Sequence, residues 1–225
     1  MATRSPTKPA TGRGTNMART APPKAEAMGL GRSTRASNGS RPSPDPVLSR
    51  PSGELQRYGT VRAIPNGLSA EARLQSCELL NGILADSLIL YALYKKHHWL
   101  VSGPTFYQLH LLFDKHAEEQ EGLIDEVAER IQALGGIAVG DPRHAAELTG
   151  IERAPDGAEN VPDMIARTLR AHESLITRVR EGIEATEESK DWGTNDLLMG
   201  DVLRTNELQV WFLSAHVVEM PLFER

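Results

Sequence analysis

Apolar residues three and four positions apart, sustained over long stretches and broken by a few clusters of Gly, Pro and Asp, constrain this chain more than any other feature. From Ser69, a residue type suited to N-capping, to about His98, the residues Leu80, Leu84, Leu88 and Tyr91 recur at helical spacing. The breaker Ser102, Gly103, Pro104 ends that pattern. A second follows through Phe106, Leu109, Phe113, Gln120, Leu123, Val127, Ile131 and Leu134, and stops at Gly135 and Gly136. Residues 136 to 160 are too rich in Gly, Pro and Asp to extend it, although His144 to Thr149 has room for a short helix. Asn160, Val161 and Pro162 open a third pattern through Ile165, Leu169, Ile176 and Ile183 to about Ser189, and Thr194 opens a fourth through Leu197, Leu203, Leu208 and Leu213. There is no strand pattern of useful length and no internal repeat. Four long helices joined by a short, a long and a short link predict an all-α four-helix bundle with one long crossover after the second helix.

The length of 225 residues allows one such core plus a tail. Residues 1–57 hold almost no large apolar side chains and are dense in Pro, Gly, Ser, Thr, Ala and Arg, so they cannot bury enough surface to offset chain entropy. They are read as a disordered tail, and residues 58–225 as the bundle. Charge divides along nearly the same line. The first fifty residues carry Arg4, Lys8, Arg13, Arg19, Lys24, Arg32, Arg35, Arg41 and Arg50 against Glu26 and Asp45, a balance of +7, and the remainder carries −12 of the chain's net −5. Basic side chains near phosphates release condensed counterions, so these nine are candidates for sequence-independent DNA binding. An Arg-rich, acid-poor segment also suits an organelle transit peptide, but Pro22, Pro23 and scattered glycines oppose a presequence helix. One cysteine, Cys77, rules out an intrachain disulfide framework and favours a reducing compartment. No run of eighteen apolar residues exists and no secretory leader is recognisable, so neither membrane spanning nor export is expected.

Five residues stand out as a possible metal site: His98, His110, Asp114, Asp125 and Glu129. On one helix, Asp114, Asp125 and Glu129 fall roughly 40°, 60° and 100° round from His110, so all four share a stripe beside the apolar seam. Imidazole with carboxylate suits iron better than a calcium cage. From Asp114 to Asp125, however, the helix advances about 16 Å, far beyond the roughly 2 Å reach of metal-ligand bonds. Either there are two half-sites, or an antiparallel copy of the helix from a second subunit brings its Asp125 and Glu129 opposite His110 and Asp114, as a two-fold dimer would. Spacing alone leaves both open, together with an ordinary charged helix edge. No ExxH pair occurs, the signature of a di-iron site inside one bundle. His97, His116, His144, His172 and His216 lack a comparable carboxylate pattern and are read as core or surface residues.

The string HWLVSGPTFYQLHLLFD from His98 to Asp114, then DEVAER from Asp125 to Arg130 and LGG, resembles the signature of the Dps family of ferritin-like proteins. LNGILAD from Leu80, and DWGTNDLL followed by WFL at Trp211, resemble its first and last helices, so the likeness spans roughly residues 60 to 220. The resemblance implies a ferritin-like bundle assembled as a homo-dodecameric shell. It implies an inter-subunit site for two iron ions in which His98, His110 and Asp114 come from one chain and Asp125 and Glu129 from its two-fold mate. It implies a cytoplasmic, nucleoid-associated ferroxidase that oxidises Fe(II), preferentially with hydrogen peroxide over oxygen, stores ferric mineral and protects DNA. Trp99 resembles the aromatic beside the site, with a radical-intercepting or packing role, and Asp191 and Asp196 lie where the family lines a three-fold pore with acids. The chain departs from the pattern at Leu100, where Asn is common after HW, and in the length of its basic extension. The alternative is a DNA-compacting structural shell with weak or vestigial ferroxidase activity.

Overall fold

A computed structural model describes residues 53–217. The nine basic residues of the N-terminal segment lie outside that range, as does most of the span read as tail. Within its last few residues Gln56 already donates to Gly135 O, at 2.9 Å, so contact with the bundle begins there.

The described residues form an all-α, ferritin-like bundle. Helices α1 (Ala70–Leu100) and α2 (Phe106–Ala133) make an antiparallel hairpin, and a crossover carrying the short α3 (Pro142–Leu148) leads to α4 (Val161–Glu188). The fourth long element is α5 (Trp192–Leu197), a π-helical segment (Leu198–Leu203) and α6 (Arg204–Ser214) in series. Ser69 caps α1, its hydroxyl accepting from Ala72 N, and Asn160 caps α4 from Asp163 N with Pro162 in the first turn. Two boundaries differ from the sequence reading. Helix α1 continues to Leu100, and the last helix starts at Trp192 because Asp191, not a residue nearer Thr194, supplies the cap.

The core is a continuous seam of Leu80, Ile83, Leu84, Leu90, Phe113, Ile131, Ile165 and Leu175, all essentially without solvent access. Cys77 packs within it. Helix α1 is central, packing along α2 and also against α3 and α4. Its most apolar 18-residue window reaches a mean hydropathy of 1.3, enough for a bilayer span by composition, but 61% of that window is buried inside the bundle. Two polar residues of α1 hold the crossover in place. Asn81 donates to Ile137 O and accepts from Val139 N, and Asp86 accepts from Thr149 Oγ1 and Gly150 N while lying 3.0 Å from Arg178 Nη1. A glycine is required where α2 ends: Gly135 has φ +83°, and a Cβ there would sit 2.7 Å from Arg62 O.

Candidate metal centre

The turn between α1 and α2 places the last turn of one helix beside the first turns of the next, which brings His98, His110 and Asp114 to one end of the hairpin. The two imidazoles stack, with centroids 3.8 Å apart and planes 19° from parallel. Each ring is tied to the other residue's backbone: His98 Nδ1 lies 2.8 Å from His110 O, and His110 Nδ1 2.9 Å from His98 O. A carbonyl oxygen only accepts, so in each neutral ring the proton sits on Nδ1 and the lone pair on Nε2. This is the arrangement a ligating imidazole needs, a ring oriented through one nitrogen and free at the other. Asp114 Oδ1 stands 3.8 Å from His98 Nδ1.

Asp114 already has a cation. Lys95 Nζ is 2.5 Å from Asp114 Oδ1, and that ammonium holds the carboxyl below its ordinary range. Both partners are partly exposed, so a metal entering here has to displace an ammonium that water can receive. Sequence spacing gave no sign of Lys95, although it lies one turn before His98 on the same helix.

Asp125 and Glu129 are exposed on the far part of α2. The chain does not bring them to His110 and Asp114, and among the described residues no three His, Cys, Asp or Glu side chains gather tightly enough to hold a metal ion. Trp99, directly after His98, is 68% exposed. His97, directly before it, points the opposite way into the core, Nδ1 donating to Thr168 Oγ1, whose own proton goes to Met164 O. The donors of one protomer, two oriented imidazoles and a carboxylate, fit half of an iron site.

The two acids assigned to a pore separate in the structure. Asp196 is exposed. Asp191 is not a surface acid: it is 1% exposed, caps α5, accepts from Thr194 Oγ1 at 2.6 Å and meets Arg130 Nη2 at 2.5 Å. Burial works to raise its carboxyl, and the hydrogen bonds from Thr194 with the Arg130 charge outweigh it, leaving the group below its ordinary range. A carboxylate so enclosed cannot line a pore.

The ferritin-like domain family matches residues 77–223, and the chain is a ferritin-like protein. The solved structure of DpsC from Streptomyces coelicolor superposes with a TM-score of 0.74 at 56% identity, covering 76% of this chain and all of that one. DNA protection during starvation protein 2 of Bacillus anthracis is 34% identical over 63% of this chain and 95% of its own length. A nutrient stress-induced DNA-binding protein of Synechococcus is 33% identical over 69% of this chain and 88% of its own. The chain belongs to the Dps family.

Proposed function

We propose that this protein is a ferroxidase and iron store that protects DNA, with each di-iron site built from His98, His110 and Asp114 of one protomer and Asp125 and Glu129 of its two-fold mate. The observation that carries the reading is the reciprocal tie of His98 and His110, which leaves both Nε2 lone pairs without a hydrogen bond at the end of the hairpin where Asp114 Oδ1 lies 3.8 Å from His98 Nδ1. The missing half is available on every chain, because Asp125 and Glu129 are exposed and distant from the imidazoles of their own protomer. Two Fe(II) ions in such a site supply the two electrons that reduce hydrogen peroxide to two waters, with two protons from solvent. Oxygen serves as the slower oxidant.

Assembly is supported by the apolar surface of the isolated chain. Trp99, Phe106, Tyr107 and Leu111 are exposed around the half-site, and Leu208, Trp211 and Phe212 on α6. Exposed groups of this size mark contact surfaces, and they suit the copies of a homo-dodecameric shell with ferric mineral inside it. Asp196 remains the acid of the pair able to draw cations toward a three-fold opening. The nine Lys and Arg of the first fifty residues bind DNA without sequence preference; twelve such segments act together, so contacts that are weak singly hold DNA despite the −12 of each remaining core. Cytoplasmic placement, with nucleoid association through those segments, follows from this role.

One observation favours the alternative of a DNA-compacting shell with weak or vestigial ferroxidase activity: the Lys95 ammonium occupies an Asp114 oxygen that iron would need. Anaerobic Fe(II) loading of the full-length protein followed by peroxide, beside the Asp125→Ala/Glu129→Ala variant, decides between them. Fast ferric absorbance lost in the variant supports the ferroxidase; equal absorbance in both proteins overturns the inter-subunit site.

A further inference from the structure

Behind the half-site, away from solvent, lies a group of side chains that the ferroxidase reading leaves unused. Tyr94 is fully buried and precedes His98 by one turn of α1, about 6 Å along the helix axis. Its hydroxyl oxygen is 2.5 Å from His172 Nε2 on α4 and 3.2 Å from His116 Nδ1 on α2. The direction of each hydrogen bond follows from the next residue along. Asn206 Nδ2 donates to Val202 O, which turns its Oδ1 toward His172 Nδ1 at 3.0 Å and toward Gln120 Nε2 at 3.0 Å. An amide oxygen only accepts, so His172 carries its proton on Nδ1 and offers the Nε2 lone pair to the Tyr94 hydroxyl. His116 fills the remaining role, its Nδ1–H donating to the phenol oxygen. The Tyr94 proton therefore has one defined acceptor.

The ring also has a defined neighbourhood. Tyr94 and Phe113 have centroids 6.2 Å apart, and Phe113 and His97 5.7 Å. Phe113 is followed by Asp114 and His97 by His98, so two members of this aromatic cluster are chain neighbours of two of the proposed iron ligands. We propose that Tyr94 is a reserve electron donor to the iron site, passing its proton to His172 when peroxide meets a single ferrous ion there. The inference rests on the ferroxidase reading.

One Fe(II) alone reduces peroxide by one electron, which breaks the O–O bond into hydroxide and a hydroxyl radical. With Tyr94 the second electron is at hand. Fe(II) becomes Fe(III), the phenol O–H becomes a neutral phenoxyl radical with its proton on His172 Nε2, and the peroxide oxygens leave as two waters with two protons from solvent. Half-filled sites arise while Lys95 holds one Asp114 oxygen against an incoming metal. Burial pushes the Tyr94 phenol well above its ordinary value, so the electron leaves only together with the proton. Burial also lowers His172 to about 3, which still suffices, because an oxidised phenol is a far stronger acid, and lets the proton return on re-reduction.

The test uses the assembled full-length protein with one Fe(II) per chain and one equivalent of peroxide, frozen within milliseconds for electron paramagnetic resonance, with ferric absorbance read on the same samples. A tyrosyl doublet that narrows with ring-deuterated tyrosine, survives Trp99→Phe and disappears in Tyr94→Phe is expected, with hydroxyl-radical spin adducts rising several-fold in Tyr94→Phe. In His172→Gln the high-field g-value should shift, because the radical loses its imidazolium partner; that arm decides the matter if Tyr94→Phe does not assemble. Ferric absorbance without a tyrosyl signal, a signal unchanged in Tyr94→Phe, or an unshifted g-value overturns the Tyr94 role alone. Absent ferric absorbance in the unsubstituted protein overturns the site reading and this inference together.

Discussion

Helix α2 takes part in an ion pair near each of its ends, and the two pairs have opposite characters. At one end Asp114 meets Lys95 at 2.5 Å, with side chains 36% and 26% exposed; at the other Arg130 meets Asp191 at 2.5 Å, where the carboxylate is 1% exposed. The distances are equal, so distance does not separate them. Water and the remaining partners do. Asp191 accepts from Thr194 N and Arg130 Nη2 at one oxygen and from Thr194 Oγ1 at the other, and the planar guanidinium is also fixed by Thr194 Oγ1 through Nε. Asp114 has a flexible ammonium that can move into solvent, and shares its end of the hairpin with two imidazoles whose Nε2 atoms make no hydrogen bond. One end of the helix is built to exchange its cation and the other to keep it.

Substitutions test that contrast. Asp114→Ala should lower peroxide-driven iron oxidation by more than the roughly 10- to 100-fold that loss of an outer-sphere partner costs, while unfolding free energy changes by under about 1 kcal/mol. Stopped-flow absorbance and calorimetry on one preparation read both. Asp191→Ala should do the reverse, costing about 3 kcal/mol by leaving Thr194 and the largely buried Arg130 guanidinium without their acceptor, with oxidation per assembled shell unchanged. A mild Asp191→Ala variant would erase the distinction. Acid denaturation sharpens it further. The folded Asp191 carboxyl lies below the 3.8 of the unfolded chain, so the unfolded state binds more protons between the two values. Its stabilisation is complete above 3.8 and disappears as pH falls through the folded value; Asp191→Asn should flatten that part of the stability curve measured in urea. The smallest effect belongs to Lys95→Met, which should tighten metal binding by up to about fivefold, the most that an exposed pair is worth. Anaerobic Fe(II) titration calorimetry would show it, and no change would mean that Lys95 vacates Asp114 without cost.

The elements that sequence made legible are those governed by local rules. Ser69 and Asn160 cap helices as their types suggest, and the 3.6-residue recurrence of Leu80, Leu84, Phe113 and Ile131 marks a seam that is buried in the bundle. The stripe of His110 and Asp114, with His98 across the turn, is likewise brought to one place. What was not legible depends on partners far away in the chain. Asp191 looks like any loop acid until Arg130, 61 residues earlier, arrives beside it. His116 and His172 sit at the same helical positions as apolar core residues, and only the meeting of three helices around Tyr94 shows why a polar ring belongs there. The π-helical segment at Leu198–Leu203 has no local sequence signal apart from Gly200.

The reciprocal tie between His98 and His110 gives the two ligands separate supports. Each ring is aimed by the other residue's main-chain carbonyl, which survives any substitution of its own side chain. Replacing either imidazole therefore removes one donor and leaves the other ring its acceptor, and the packing of α1 along α2 keeps that acceptor in place. A lineage drifting away from iron chemistry can thus pass through intermediates that keep one oriented histidine.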